Sequence, residues 1–343
     1  MAIHLYPLLF TLYPSFTLED TSVLHAWIVL IIAAVLDYLI GDPRSLPHPV
    51  QAMGWVISRF SQFVFKHFKS PFTLRWAGIF LGVGLITSSA VAGWVIVYTA
   101  RMVHPLFGLA VESILLASCF AGHSLKAAAL DVLQHLKVED ISQARSALSQ
   151  YVGRDTQQLS KPEILRAVLE TVTENATDGV MAPLFYAIAG VFIPYIGEVP
   201  LALAYKAAST LDSMVGYPTA PYTDLGWFSA RLEDHLTWLP CRLTVVTLAI
   251  LSAKPQQVIH ICRRDAIKDP SPNSGWSECA YAAVLGVQMG GTNWYRGKAK
   301  HKPLLGEAIH PITSEKIDQA LQLTRYCFLI WLGLGFALLL VFA

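Results

Sequence analysis

Apolar residues in this chain gather in long runs separated by short polar blocks. Ala26–Ile40 is short but continuous, Trp76–Ala100 holds only small polar residues, Pro105–Phe120 holds one charge (Glu112), and Tyr326–Phe342 holds none. A spanning helix needs about 20 largely apolar residues, so these four runs are expected to be spans. Two further runs are broken. Met181–Tyr205 carries Pro183, Gly190, Pro194, Gly197, Glu198 and Pro200, and Leu236–Ala253 carries Pro240 and Arg242. Irregular backbone at membrane depth survives only against protein or a cavity, so both are expected to be re-entrant or interfacial. The pattern therefore predicts an all-α polytopic integral membrane protein with about four full spans, broken helices and cytoplasmic helical loops. The chain reads as a single membrane domain, 1–343. Residues 26–120 hold the first three spans with a loop at 41–75, and 121–235 form a motif region containing the broken segment 181–205. Residues 236–325 hold the second broken segment and a basic loop, and 326–343 the last span.

Composition agrees. Only 14% of the 343 residues are charged, against about 25% in an ordinary soluble domain. The net charge of +1 gives no field for nucleic acid. Cysteines 119, 241, 262, 279 and 327 show no C-x-x-C spacing and read as small core residues. The first 24 residues lack Lys and Arg and contain Pro7 and Pro14, so no signal peptide is expected. Lys and Arg concentrate in the loop after the first span (Arg44 to Arg75), in the loop after the third (Lys126 to Arg166) and before the last span (Arg263 to Lys302). These three should face the cytoplasm of a cell-membrane protein.

The polar blocks carry the candidate chemistry. Ser160 and Glu163 form an S-x-x-E capping box, with Pro162 in the first turn, so a helix is expected from about 161 to about 177, stopped by Asp178–Gly179. Arg166, Glu170, Glu174 and Asp178 recur every four residues as one stripe. That stripe fits a solvated face laced by ion pairs, and it fits a hard-cation site beside Asn175. A second polar helix is expected over 205–217, ending at Gly216; Asp212 would reach a cation and Lys206 a phosphate or carboxylate. Arg231, Glu233, Asp234 and His235 follow, either closing the same site or forming a charged surface turn. In 262–297, Arg263–Arg264 precede a Pro/Asn/Ser/Gly turn and a helix opening near Trp276, capped by Asn273 or Ser274. This reads as an anion site or as a basic loop at the bilayer surface. Gly290–Gly291 permit close backbone approach or mark a tight turn. Asp42, Arg44 and His48 sit in a Pro-rich loop, where a His between two prolines is more often structural.

Taken together, GDPRSLPHPV (41–50), GRDT (153–156), ENATDGVMAPLFY (174–186), TLDSMVGY (210–217), WFSARLED (227–234), RRDAIKDPSPNSGW (263–276) and GVQMGGTNWYRG (286–297) resemble the CobD/CbiB family of cobalamin biosynthesis, the adenosylcobinamide-phosphate synthases. The motifs fall in the family's order across most of 37–297. Ser209 and Pro218 replace an Asn and a Lys usual in the family, and Glu233–Asp234–His235 departs from its usual paired Asp and Asn-containing turn.

The resemblance implies an inner-membrane enzyme, motif loops facing the cytoplasm, that joins adenosylcobyric acid to aminopropanol or its phosphate with ATP and Mg²⁺. Its partners would be the corrinoid, the amine, membrane lipid and other enzymes of cobalamin assembly. On that reading Glu174, Asp178 and Asp212 are the catalytic, metal-holding carboxylates. Arg154, Asn175, Lys206, Arg231, Arg263, Arg264 and Asn273 bind substrate or phosphate, and Tyr186, Trp227, Trp276 and Trp294 line a corrinoid cleft. No G-x-x-x-x-G-K-[ST] loop occurs, so any ATP site is not a P-loop. An AmpE-like membrane signalling protein, or a transporter without ligase activity, is the alternative.

Overall fold

The computed structural model describes residues 18–41, 48–193 and 195–342; Asp42 and Arg44 lie outside them. The chain is mostly helical: α1 (Leu18–Leu39), α2 (Pro49–His67), α3 (Pro71–Val103), α4 (Pro105–Ala117), α5 (Gly122–Lys137), α6 (Ile141–Leu148) and α7 (Lys161–Asn175) come first. A π-helical segment (Ala176–Met181), α8 (Ala182–Val191), α9 (Glu198–Val215), α10 (Trp227–Leu251), α11 (Pro255–Asp265) and α12 (Ser274–Leu285) follow. The hairpin β1 (Gln288–Tyr295) and β2 (Lys298–Gly306) then precedes the last helix, α13 (Ser314–Phe342).

Among the described residues, α3 and the Ser314–Leu338 part of α13 are long and apolar enough to cross a membrane. The expected third span ends at Ala117 and bends 43° into α5, whose inward face is Leu125, Ala129, Val132, Leu133 and Leu136. The 13 residues of α4 reach only about 20 Å, short of a hydrocarbon core of about 30 Å, but α4 and α5 together are long and apolar enough for a broken span or a re-entrant loop. The first expected span is a shorter apolar stretch, Leu24–Leu39. One charge cluster ties these helices: fully buried Glu112 accepts a hydrogen bond from Arg101 Nη2 at 2.7 Å and lies 2.9 Å from His25 Nε2.

Two prolines explain how the broken runs are built. The helix expected to stop at Asp178–Gly179 instead passes through the π segment into α8. Pro183 has no N–H to give Gly179, four residues back; the freed Gly179 carbonyl accepts from Ala121 N at 3.0 Å. Likewise Leu236–Ala253 is not a broken segment but part of a continuous α10 with Pro240 inside it. Here the carbonyl of Leu236, orphaned by Pro240, accepts from the Tyr186 hydroxyl at 2.8 Å. α8 has 10 residues, too few to cross alone, and it packs back on α9.

The hairpin is the element that the apolar pattern does not reveal. It docks on α7 through a buried ion-pair network. Arg154 Nη2 and Arg166 Nη1 both reach the Glu170 carboxylate, the latter at 3.2 Å. Gly290 N donates to Glu170 Oε1 at 3.0 Å, and Arg166 donates to the Gly290 and Thr292 carbonyls. Gly290–Gly291 thus bring strand backbone close to an ion pair. Their bulge shifts the register between Met289 and Gly291, and a Cβ on Gly290 would lie 2.0 Å from the Pro303 carbonyl oxygen. The five cysteines are free and buried, as the spacing predicts.

Replacing Glu170 with Ala leaves Arg154 and Arg166 buried with no counter-charge, a loss of roughly 3–5 kcal/mol. Denaturant unfolding of the purified protein in detergent should show that drop, together with faster proteolysis of the hairpin; an unchanged midpoint would contradict the docking scheme.

Candidate functional site

The site is assembled where four polar segments meet. Asp178 is carried by the π segment, a feature that recurs at functional sites because it re-aims side chains within a helix. The segment is pinned from α12, whose Ser277 hydroxyl donates to the Thr173 carbonyl at 2.6 Å and pairs with Thr177 Oγ1 at 2.8 Å. Asp212 sits on the last turn of α9, which Gly216 ends as its C-cap. A Cβ on Gly216 would strike the Asp212 carboxylate, and one on Gly226 would lie 1.7 Å from the Val215 carbonyl oxygen. The end of α9 and the start of α10 therefore touch backbone to backbone, which brings Glu233 and Asp234 toward Asp212. Glu233 is aimed by a chain of contacts: it accepts from Thr237, whose hydroxyl pairs with Tyr205 at 2.8 Å, and Tyr205 stacks on Tyr186 at 4.9 Å.

The electrostatics show that these carboxylates share one environment. Asp178 is pushed well above the ordinary aspartate value, first by burial and then by the charges of Glu233, Glu174, Asp212 and Asp234. Burial, then Asp234 and Glu174, raise Asp212 to about 6. Glu233 rises to about 7, mainly by burial, with Asp212 and Asp234 adding to it. Glu174, Asp178 and Asp212 nevertheless keep partial contact with solvent. These groups are largely desolvated without being sealed from the surface, a setting in which carboxylates with shifted pKa values mark candidate sites.

A second face of the recess is built from α12, its entry loop and β2. Glu278 is fully buried and raised to about 8 by burial, opposed by Lys302 and reinforced by Glu174 and Glu170. Lys302, delivered by β2, donates to Glu278 Oε1 at 3.1 Å. Asp269 and Lys302 both act on Glu174, whose pKa is raised chiefly by burial. The entry loop is held by Arg242, which donates to the Pro272 carbonyl and lies 4.3 Å from the Trp276 ring centroid.

The expected site residues divide accordingly. Glu174, Asp178 and Asp212 come together, with Arg231 acting on Asp234 and Asn273 donating to the Asp234 carbonyl at 2.8 Å. Lys206 is half-buried on α9. Arg154 does not point to a phosphate, because its guanidinium is committed to Glu170 and Asn293. Arg264 pairs with Asp265 and Glu307, and Arg263 is exposed on the last turn of α11. Asn175 is exposed and donates to the Thr171 carbonyl of its own helix. The expected anion site at the start of α12 is instead faced by the acidic Asp269, whose Cβ would lie 2.5 Å from a Cβ on Gly275. His48 is structural, accepting from Val50 N at the start of α2. Of the expected cleft aromatics, Tyr186 and Trp276 are used in packing, while Trp227 and Trp294 are exposed. The largest cavity described, about 700 Å³, is apolar and lies elsewhere, among α1, α2, α3, α4 and α9.

Sequence reasoning left out Asp269, Glu278 and Lys302. Glu278 had a signal: it is the lone charge in the apolar helix SGWSECAYAAVL, and isolated charges in apolar helices mark sites.

Fold and site together define a helical membrane-type protein with an acidic recess built from segments distant in the chain. The family model described as "CobD/Cbib protein" matches residues 30–324. Cobalamin biosynthesis protein CobD of a Synechocystis species is 56% identical over 317 residues, covering 92% of this chain and 93% of that one. The protein of the same name from Halalkalibacterium halodurans is 40% identical, covering 90% and 95%. Cobalamin biosynthesis protein CbiB of Salmonella typhimurium is 38% identical, covering 91% and 95%. The chain belongs to the CobD/CbiB family of cobalamin biosynthesis. No solved structure matches it.

Carboxylates with raised folded-state pKa values favour folding in their protonated form. Their contribution is complete below the unfolded values near 4 and is lost as pH rises through about 6 for Asp212 and about 7 for Glu233. The unfolding midpoint of the ligand-free protein in detergent should therefore fall between about pH 4 and pH 7, and fall less in Asp212→Asn. A midpoint that rises over that interval would show that these groups do not share a desolvated recess.

Proposed function

We propose that this chain is the amide-forming enzyme of its pathway, joining a corrinoid carboxylic acid to aminopropanol or its phosphate with consumption of ATP. The observation that carries this reading is the convergence of Asp178, Asp212, Glu174, Glu233 and Asp234 in one recess, in a chain whose relatives are named for cobalamin biosynthesis. A carboxylate and an ammonium do not condense unaided. ATP phosphorylates the acid to an acyl phosphate, releasing ADP, and a neutral amine then attacks the carbonyl carbon, expelling phosphate and losing a proton. A transferring phosphoryl group needs positive charge around it.

The donor set fits magnesium. It is all oxygen, its members raise one another's pKa, and a divalent cation would relieve that repulsion. Among the described residues no three His, Cys, Asp or Glu side chains are grouped so as to hold a metal ion, so these carboxylates would supply only part of the shell of an ion that keeps waters and takes phosphate oxygens from its nucleotide. Asp178, Asp212 and Glu174 would hold it, and when bound it would neutralise the phosphate charge. Glu233, fixed by Thr237 and Tyr205, and Asp234, beside Arg231, set the charge of the surrounding wall. Lys206, Arg231 and Arg263 are the remaining candidates for phosphate grip, while Arg154 reaches Glu170 and Asn293 and Arg264 reaches Asp265 and Glu307.

The Lys and Arg distribution supports a recess on the cytoplasmic side of the inner membrane, where ATP is supplied. Lipid around α3 and α13, and neighbouring enzymes of cobalamin assembly, are the remaining expected partners.

Asp178→Asn keeps the shape and removes the charge. Given adenosylcobyric acid, aminopropanol phosphate and Mg-ATP, the purified wild type should yield a corrinoid whose mass shows amide formation. The variant, folded by the same unfolding assay, should lose at least a hundredfold in rate, about 2.7 kcal/mol. Undiminished product from the variant would remove Asp178 from the chemistry, and absence of product from the wild type would remove the ligase reading.

A further inference from the structure

Unpartnered buried polar atoms are costly, about 1–3 kcal/mol each, and in a folded protein they ask for an explanation. Three such atoms fall in one short stretch: Asp269 Oδ2, Asn273 Oδ1 and Glu278 Oε2. All three are acceptor oxygens on α12 or its entry loop. The others described, Trp27 Nε1, Ser61 Oγ and Ser113 Oγ, are single neutral groups on α1, α2 and α4.

Each of the three is held in place by its other contacts. Asn273, buried, gives its Nδ2 to the Asp234 carbonyl at 2.8 Å, which fixes the opposite end of the amide as the free acceptor. Asp269 accepts from Ser271 N through Oδ1 at 2.9 Å, leaving Oδ2. Glu278, fully buried, takes the Lys302 ammonium on Oε1 at 3.1 Å, leaving Oε2. The set therefore already seats one ammonium. Lys302 is acted on by Glu278, Glu174, Glu170 and Asp269, and Arg154 also acts on Glu174.

We propose that Asp269, Asn273 and Glu278 form a subsite for a primary ammonium group, the amine consumed in the ligation, which gives up a proton to one of these two carboxylates before it attacks. The chemistry of the donors favours an ammonium over a metal ion. Three oxygens match the three N–H donors of an ammonium, and an amide oxygen serves as well as a carboxylate. The Asn273–Asp234 hydrogen bond joins this subsite to the acidic recess, so the amine is held beside the place where the acid is activated. The inference rests on the ligase reading only for the identity of the amine.

The test is direct binding of 1-amino-2-propanol and of its O-phosphate to the purified full-length protein in detergent, by calorimetry, with Mg-ATP and corrinoid acid present or absent. Propane-1,2-diol is the neutral control. The amines should bind and the diol should not. Glu278→Gln and Asp269→Asn should each weaken amine binding tenfold or more without moving the affinity for ATP. Should Glu278→Gln fail to fold, Asp269→Asn, on the loop, carries the test. Equal amine affinity in wild type and variants, no amine binding by the wild type, or competition of Mg²⁺ for the same three residues would each overturn the subsite. Amine binding lost in the variants, with no amide product from the wild type, would leave the subsite and remove the ligase reading. Product formation with an unmoved KM for the amine in both variants would do the reverse.

Discussion

Mutual repulsion among partly desolvated carboxylates is the constraint around which this fold is organised. Asp178 is raised by burial and by the charges of Glu233, Glu174, Asp212 and Asp234. Left to relax, such groups would move into water or take up protons. They stay because each is carried by backbone that is itself held in place. Lys302 and Arg231 supply opposing positive charge from within the protein.

Rigidity comes from backbone groups that prolines set free. Pro183 releases the Gly179 carbonyl to Ala121 N, and Pro240 releases the Leu236 carbonyl to the Tyr186 hydroxyl. In each case a defect in one helix becomes a cross-link to another segment. The first stabilises the π segment that presents Asp178. The second anchors Tyr186, which stacks on Tyr205 and so helps to aim Glu233. On the opposite side, the Arg154–Glu170–Arg166 network fastens the hairpin to α7 and delivers Lys302.

Much of this was legible in the sequence where the signal is local. The capping box at Ser160–Glu163 is formed, with Glu163 reaching Ser160 N at 2.7 Å, and Gly216 ends α9. The cysteines are core residues, and the family motifs named the segments that meet. What was not legible depends on distant partners. Asp178–Gly179 reads as a helix stop, yet Ala121 and Ser277 keep the chain helical through it. The strand KAKHKPLLG shows no clean alternation, and its docking site is an ion pair on α7. Arg154 looks like a free cation until Glu170 and Asn293 are placed beside it. Four equal spans follow from counting apolar residues, whereas the bend after Ala117 depends on how α4 and α5 pack.

The most direct measurement is the number of protons released when Mg²⁺, alone and with ATP, binds the purified protein at pH 6 to 7, from calorimetry in buffers of different ionisation enthalpy. Carboxylates held near 6 and 7 by burial and by one another are partly protonated there, and a cation entering among them must expel those protons. Proton release that falls in Asp212→Asn is the expected result. Binding with no proton release, or no binding at all, would contradict the view that these side chains form one cation-accepting recess.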